Sequence, residues 1–301
     1  MNSSSRRAGQ DSWTNATAPP TLDPVAADAP EGRGQGAIIG GGTRLPLRVG
    51  RHAPPQALAH WVDYLWIVRW SVREPHVQQV IPQPVIHVAA EDGRLSVHGV
   101  GDNSFARTLL GDGHVVGIAF RAGGFRGFAD GPVSALSRSV RPLQEVLGVD
   151  DRPIAADLLD PDPDDAELTR RATEWLIGLG PTADPMIDRI AAFVDIAEGD
   201  ATITRAEQLA EIAGVSLRTL QRQFGDYVGI GPKWVIQRFR VLDVAAVANR
   251  GGEVDWADTA VRLGFSDQSH LIRAFTRIVG TPPASYARGD LPSARTDTDS
   301  R

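Results

Sequence analysis

A helix-glycine-helix pattern late in the chain constrains the fold more than any other feature of the sequence. Residues 206–213 have the apolar spacing of a helix, Gly214 interrupts it, and a second helical pattern follows. A glycine between two helices permits the left-handed turn of a helix-turn-helix. On the second helix, Leu220, Phe224 and Tyr227 are spaced at i, i+4 and i+7. This spacing predicts that all three side chains are buried on one face.

The opposite face of this second helix carries polar side chains that are suited to reading DNA bases. They are Arg218, Gln221 and Arg222. Arginine can make two hydrogen bonds to guanine O6 and N7 in the major groove, and glutamine can do the same with adenine N6 and N7. The pattern therefore predicts a recognition helix.

The motif recurs fifty residues later, and two copies at a fixed distance rarely arise by chance. Ala210 and Gly214 correspond to Ala260 and Gly264. After a one-residue shift at the turn, the matching pairs are Leu220 and Leu271, Arg222 and Arg273, Phe224 and Phe275, Gly229 and Gly280, and Pro232 and Pro283. The sequence therefore predicts a second helix-turn-helix.

A long helix is predicted between the two copies. Pro232 is suited to its first position, and the helix runs to about residue 248 before Gly251-Gly252. About seventeen residues at 1.5 Å each make a strut of roughly 25 Å. Successive major-groove faces lie about 34 Å apart, so the strut can place both recognition helices on one side of a duplex. We also expect Arg238 and Arg240 on this helix to reach phosphate.

Together these residues resemble the AraC/XylS family of bacterial transcription regulators. The family signature stands here as Ser216-x-Arg218-x-Leu220-x-Arg222-x-Phe224, Gly231-Pro232, Arg240, the segment from Gly264 to Phe275, and Gly280-Thr281-Pro282-Pro283-x-x-Tyr286. The resemblance covers residues 186–288. It implies contacts to double-stranded DNA from Arg218, Gln221, Arg222, Gln268, Ser269, His270 and Arg273.

The first half of the chain has the pattern of an antiparallel β domain. Residues 60–70 and 115–120 are rich in aromatic and β-branched side chains. Asp92-Gly93 separates two alternating runs, which is the strongest short signal for a hairpin. The domain resembles the cupin-type sensor domains that precede many AraC-family DNA-binding modules. That resemblance implies ligand sensing or dimerisation.

The hairpin predicts a pair of histidines on one face of the sheet. A two-residue turn at Asp92-Gly93 pairs Glu91 with Arg94 and therefore places His87 opposite His98. The apolar face of the hairpin should be buried, and the two histidines should border a small-molecule cavity on the other face. We expect no bound metal, because the HxH-plus-Glu pattern of metal-binding cupins is absent.

Composition limits the remaining classes of function. The chain has no cysteine, which excludes disulfides and thiolate chemistry. No apolar run reaches the roughly 18–20 residues of a membrane span, so we expect a cytoplasmic protein. The net charge is −6, and residues 186–288 contain 12 basic and 12 acidic side chains. Attraction to phosphate must then come from local placement and helix N-termini, which predicts modest non-specific affinity.

We therefore predict an α+β chain: an N-terminal cupin-like β sensor domain followed by an all-α DNA-binding domain with two helix-turn-helix motifs. The expected divisions are a disordered segment at 1–43, the sensor or dimerisation domain at 44–148, a helical linker at 149–184, the DNA-binding domain at 185–288 and a disordered tail at 289–301.

The predicted function is sequence-specific transcription regulation, with activation as the expected direction because most relatives activate. The expected partners are double-stranded DNA, RNA polymerase and a small-molecule effector. The sequence is compatible with a homodimer but does not predict one. No cofactor, metal or catalysis is expected. Two alternatives remain. One is an effector-independent regulator whose first domain serves only assembly, and the other is a cupin enzyme with a DNA-binding appendage. A closed apolar pocket in the first domain favours sensing, whereas a packed, ligand-free core favours assembly.

Overall fold

The structure is a computed structural model, and it describes residues 47–249 and 254–288. The two segments expected to be disordered, residues 1–43 and 289–301, lie outside the described residues. In the part of the chain that is described, no helix is both long enough and apolar enough to span a bilayer.

The N-terminal part is one antiparallel sheet of six strands, in the order β1-β2-β5-β3-β4-β6. The long strands β2 and β5 form its centre, and their pairing is interrupted between Val72 and His76. The strands are β1 (Leu47–His52), β2 (Val62–Val80), β3 (His87–Glu91), β4 (Arg94–His98), β5 (Phe105–Phe120) and β6 (Val140–Pro142).

The predicted hairpin between β3 and β4 is confirmed in position and register. Glu91 pairs with Arg94, and His87 pairs with His98. Asp92 and Gly93 both have positive φ, at 49° and 72°, as a two-residue type I′ turn requires. The apolar face of the hairpin is buried as expected, through Val88, Ala90, Leu95 and Val97.

The rest of the described chain is helical. The helices are α1 (Leu143–Leu147), α2 (Arg152–Leu158), α3 (Asp165–Gly178), α4 (Pro185–Gly199), α5 (Ala206–Ala213), α6 (Leu217–Tyr227), α7 (Pro232–Asn249), α8 (Trp256–Arg262), α9 (Gln268–Val279) and α10 (Pro283–Ala287). An antiparallel β domain is thus followed by a helical domain with two helix-turn-helix motifs, which confirms the predicted architecture. The strand β1 and the helix α2 were not predicted.

The segment expected to act as a linker is part of the core. Ile154 and Leu158 of α2, and Leu168 and Leu176 of α3, are buried in the same hydrophobic cluster as the sheet. Helices that bury apolar side chains in a shared core form a structural layer of the fold as well as a connection.

An ion-pair cluster also fixes α3 to the sheet. The carboxylate of Asp165 accepts a hydrogen bond of 2.8 Å from Arg69 Nε and another from Arg48. Burial alone raises the pKa of Asp165, but the hydrogen bonds and positive charges of the two arginines outweigh it, and the pKa lies below its ordinary value. The start of α3 is therefore bound to β1 and β2.

The two halves of the chain share packing at two places. The main core contains sheet residues such as Ile118 together with Phe224 of α6 and Phe239 of α7. A second core lies around α8 and α9, and Ile81, which follows β2, packs into it. Ser137 Oγ also donates a hydrogen bond to the carbonyl of Gly229, just beyond α6. The sheet therefore contacts both helix-turn-helix motifs.

Candidate nucleic-acid interface and N-terminal cavity

The first motif has the geometry that its sequence predicts. Gly214 ends α5 in the left-handed region with φ 66°, and Ser216 caps α6 by accepting a 3.1 Å hydrogen bond from Thr219 N. Leu220 and Phe224 are fully buried. The polar stripe on the opposite face is exposed, through Arg218, Gln221 and Arg222.

Tyr227 was expected to be buried with Leu220 and Phe224, but it is only half-buried. Its hydroxyl donates a 2.5 Å hydrogen bond to Asp184, the residue that caps the N-terminus of α4. Burial and this carboxylate together raise the pKa of Tyr227 to about 12. Tyr227 therefore ties the end of α6 to α4.

The second motif repeats this arrangement. Gly264 follows α8 with φ 78°, and Asp267 caps α9 by accepting a 2.7 Å hydrogen bond from His270 N. The inward face of α9 is buried through Leu271, Phe275 and Ile278. Its outer face exposes Gln268, Ser269 and Arg273.

His270 differs from the other predicted DNA-contacting residues because its ring is held within the protein. Its Nδ1 lies 3.2 Å from Ser266 Oγ, and its Nε2 lies 3.2 Å from Gln237 Nε2. Gln237 of α7 also accepts a 2.9 Å hydrogen bond from Arg277. His270 therefore fixes the start of α9 against α7, a role that sequence analysis missed.

The expectation that Arg238 and Arg240 reach phosphate is wrong. Their exposed fractions are 0% and 1%. Arg238 Nε donates to the carbonyl of Pro82 at 2.6 Å, and its guanidinium lies 5.1 Å from the ring of Phe239. Burial lowers the pKa of Arg238 to about 10, so the side chain stays charged at neutral pH.

Arg240 is a buried cap for the C-terminal end of α4. Its terminal nitrogens donate to the carbonyls of Ala197 at 2.8 Å and Asp200 at 2.6 Å, with longer contacts to Glu198 and Ile203. The last carbonyls of a helix lack partners within the helix, and they carry the negative end of its dipole. Arg240 therefore joins α4 to α7 and is unavailable to DNA.

A cavity of about 550 Å³ lies on the face of the sheet opposite the main core. Both predicted histidines, His87 and His98, are among its lining residues. Most of the wall is aromatic or aliphatic, and it includes Trp66, Val68, Trp70, Leu109 and Val115. This volume and apolar lining are typical of pockets for small organic ligands.

The polar groups of the cavity are ordered by contacts among themselves. Trp66 Nε1 donates to His87 Nδ1 at 3.3 Å, and His98 Nε2 lies 2.5 Å from Glu91 Oε1. Burial, together with the nearby charges of His98 and Arg51, lowers the pKa of His87 to about 3. His87 is therefore neutral at physiological pH, and its proton is on Nε2. No cluster of three metal-ligating side chains occurs within the described residues.

The far wall of the cavity is also a contact with the second motif. Ile81 and Pro82 line the cavity; Ile81 packs into the core of α8 and α9, and the Pro82 carbonyl binds Arg238 of α7. Ser104, on the same wall, donates its backbone N–H to the carbonyl of Arg277 in α9 at 3.2 Å. A change in this wall therefore reaches α7 and α9 directly.

Two family models match separate parts of the chain. Residues 209–289 match a family described as a helix-turn-helix domain, and residues 50–142 match a domain family of unknown function, DUF6597. A putative AraC-like transcription regulator from Streptomyces lividans is 34% identical over 114 residues, which are 38% of this chain and 36% of that protein. The C-terminal part of the chain is therefore similar to AraC-like transcription regulators.

Other helix-turn-helix transcription regulators match over shorter segments. The transcriptional activator RhaS of Escherichia coli is 32% identical over 83 residues, which are 28% of this chain and 30% of RhaS. The regulator RipA of Corynebacterium glutamicum is 36% identical over 90 residues, which are 29% of this chain and 26% of RipA. The chain spans about a third of the length of the curated relatives that it matches.

Three solved structures are also similar to parts of the chain. The C-terminal domain of AraT from Geobacillus stearothermophilus is 25% identical, with 38% of this chain and 94% of that chain covered and a TM-score of 0.30. The DNA-binding domain of AdpA, in complex with a target DNA, is 27% identical, with 35% and 92% covered and a TM-score of 0.27. ToxT from Vibrio cholerae is 12% identical, with 81% and 97% covered and a TM-score of 0.37.

Proposed function

We propose that this protein is a sequence-specific DNA-binding transcription regulator in which α6 and α9 enter successive major grooves. The observation that carries the proposal is the pair of exposed polar stripes on two equivalent helices joined by α7. With 18 residues at 1.5 Å each, α7 is about 27 Å long. Together with the width of the motifs, that length suits the groove spacing of about 34 Å.

The base contacts are assigned to Arg218, Gln221, Arg222, Gln268, Ser269 and Arg273, which are all exposed. His270 takes part as a positioning residue for α9. Burial of Arg238 and Arg240 removes two of the twelve basic groups of residues 186–288 from the surface. Non-specific attraction to DNA should then be weak, so base contacts carry a large share of the affinity.

Replacing Arg222 or Arg273 with Ala should weaken binding to the specific site by about 1–3 kcal/mol and relax base preference in one half-site. The operator is first obtained by selection from random duplexes. Affinity is then measured by fluorescence anisotropy on that operator and on unrelated duplex. Arg189→Ala, an exposed arginine of α4, is the matched control and should bind as wild type. Equal losses on both duplexes would show that the two arginines hold phosphate instead.

We further propose that the regulator activates transcription through contact with RNA polymerase and responds to a small molecule in the N-terminal cavity. The relatives from Escherichia coli that are described as activators support activation rather than repression. The apolar cavity supports sensing over the alternative in which the first domain only assembles a homodimer. The Ile81–Pro82 segment and Ser104 supply the physical link, because they border the cavity and contact α7 or α9.

A ligand can shift the protein between two arrangements only if it binds them unequally. A compound identified by thermal-shift screening should therefore change operator affinity in the full chain. The double variant His87→Ala/His98→Ala should respond only at a higher concentration, because both rings line the cavity. His76→Ala, outside the cavity lining, is the control. Operator affinity that no cavity ligand alters would support the assembly-only alternative.

The second alternative, a cupin enzyme, has less support. The two carboxylates that line the cavity are already paired, Glu91 with His98 and Asp102 with Arg138. The relatives are named as transcription regulators. We therefore propose binding rather than catalysis at this site.

A further inference from the structure

The charges of the cavity are unbalanced. Glu91 pairs with His98 at 2.5 Å and lies 3.8 Å from Arg107, and at the rim Asp102 pairs with Arg138 at 2.9 Å. Arg51 also lines the cavity. Within the described residues no carboxylate lies in ion-pair distance of Arg51. The cavity therefore has one cation that lacks an acidic partner among those residues.

Arg51 is held in place by an aromatic contact. Its guanidinium lies 4.6 Å from the ring centroid of Tyr64, and on β1 it is paired in register with Trp66. The Tyr64 hydroxyl is engaged with Gln83 at 3.1 Å. Stacking on a ring orients a guanidinium and leaves its N–H edge for an acceptor. Arg51 is thus a fixed donor on an apolar wall.

His87, another polar side chain of the cavity wall, also presents a hydrogen-bond donor. Because His87 Nδ1 accepts from Trp66, the neutral ring presents its proton on Nε2. Two donors on an apolar wall suit a ligand that brings an acceptor, and a carboxylate matches the two-pronged edge of a guanidinium.

Gln78 supplies a second, independent sign of a ligand. It is only 6% exposed and lines the cavity. Its Nε2 donates to the carbonyl of Gln79 at 2.9 Å, but its buried Oε1 has no hydrogen-bond partner. A buried acceptor without a donor is costly, so a ligand group that donates there is favoured.

We propose that the cavity binds an apolar, aromatic carboxylate whose carboxylate pairs with Arg51 and whose hydroxyl or amine donates to Gln78. This proposal rests on the proposed sensing function and specifies its ligand class. The aromatic body of the ligand packs on Trp66 and Trp70. A volume of about 550 Å³ holds a bicyclic ring system with its substituents.

The test is calorimetry on the full chain without DNA, with three probes: 6-hydroxy-2-naphthoate, 2-naphthoate and the neutral 6-hydroxy-2-naphthamide. We expect the hydroxynaphthoate to bind most tightly. The amide should bind at least about tenfold more weakly, which corresponds to about 1.4 kcal/mol. Arg51→Gln should abolish this preference for the carboxylate, and Arg51→Lys should retain part of it.

Arg107→Gln is the matched control, because Arg107 lines the same cavity but lies near Glu91. It should keep the preference. Loss of the preference in Arg107→Gln but not in Arg51→Gln would overturn the assignment to Arg51. Equal binding of amide and carboxylate, or no binding of any probe up to its solubility limit, would overturn the ligand class. Thermal unfolding of each variant confirms that it is folded.

The same samples separate this proposal from the function on which it rests. A naphthoate that binds through Arg51 but leaves operator affinity unchanged supports the ligand class and contradicts sensing. Specific DNA binding that no probe influences, in a protein that binds no probe, contradicts the ligand class and leaves the DNA-binding proposal standing.

Discussion

Replacement of Arg240 with Ala is expected to destabilise the protein by about 3–5 kcal/mol, the range for breaking a buried charged network. The substitution removes a guanidinium that is 1% exposed and donates to carbonyls at the end of α4. Without it, the carbonyls of Ala197 and Asp200 lose their partner, and water cannot easily replace it at the buried Ala197. The measurement is urea denaturation followed by circular dichroism.

Two controls make the Arg240 experiment decisive. Arg240→Lys keeps the charge but has no forked donor edge, so it should recover only part of the loss. Arg189→Ala removes an exposed arginine from α4 itself and should change stability by less than about 0.5 kcal/mol. Normal stability with weakened DNA binding in Arg240→Ala would instead revive the phosphate-contact hypothesis that the structure contradicts.

Truncation of the buried face of α3 should cost nearly as much. Leu168→Ala and Leu176→Ala each remove a side chain from the core shared with the sheet and should destabilise the protein by about 2–5 kcal/mol. The cost combines lost burial with the cavity that remains, because closely packed neighbours relax only in part. Thermal and urea unfolding of the full chain measure it.

Ile177, next to Leu176 on α3, provides the matched control because it is 46% exposed. Ile177→Ala should change the free energy of unfolding by less than about 0.5 kcal/mol, the usual range for surface positions. If all three variants kept wild-type stability, α3 would only connect the domains and would not contribute to the stability of the core. A destabilisation confined to Leu168 and Leu176 would show that it is part of the domain.

The C-terminal motifs could be predicted from the sequence because their determinants are local. Apolar residues at helical spacing, a glycine with positive φ at Gly214 and Gly264, and capping side chains such as Ser216 all act within one or two turns. The β3–β4 hairpin followed from the same kind of signal, since the Asp92-Gly93 turn sets the register and places His87 opposite His98.

Only some of the residues that line the cavity could have been predicted from the sequence. Alternation of Leu47, Val49 and Arg51 along β1 puts the three side chains on one face, and all three line the cavity. No local signal shows that Glu91 pairs with His98 rather than with Arg94, its partner in the register. Long-range contacts decide which charges are neutralised.

Sequence by itself determined the two helix-turn-helix motifs, their exposed arginines and the hairpin, because each depends on neighbours a few residues apart. Only the tertiary structure decided that Arg238 and Arg240 are buried while Arg222 and Arg273 are exposed. Arg222 and Arg273 lie on helices with a distinct polar face, whereas α7 is only weakly amphipathic, but that local pattern does not show which groups receive the buried guanidinium groups. The partners of Arg238 and Arg240 come from Pro82 and from the end of α4, 156 and about 40 residues away. Folding alone brings those carbonyls to the guanidinium groups.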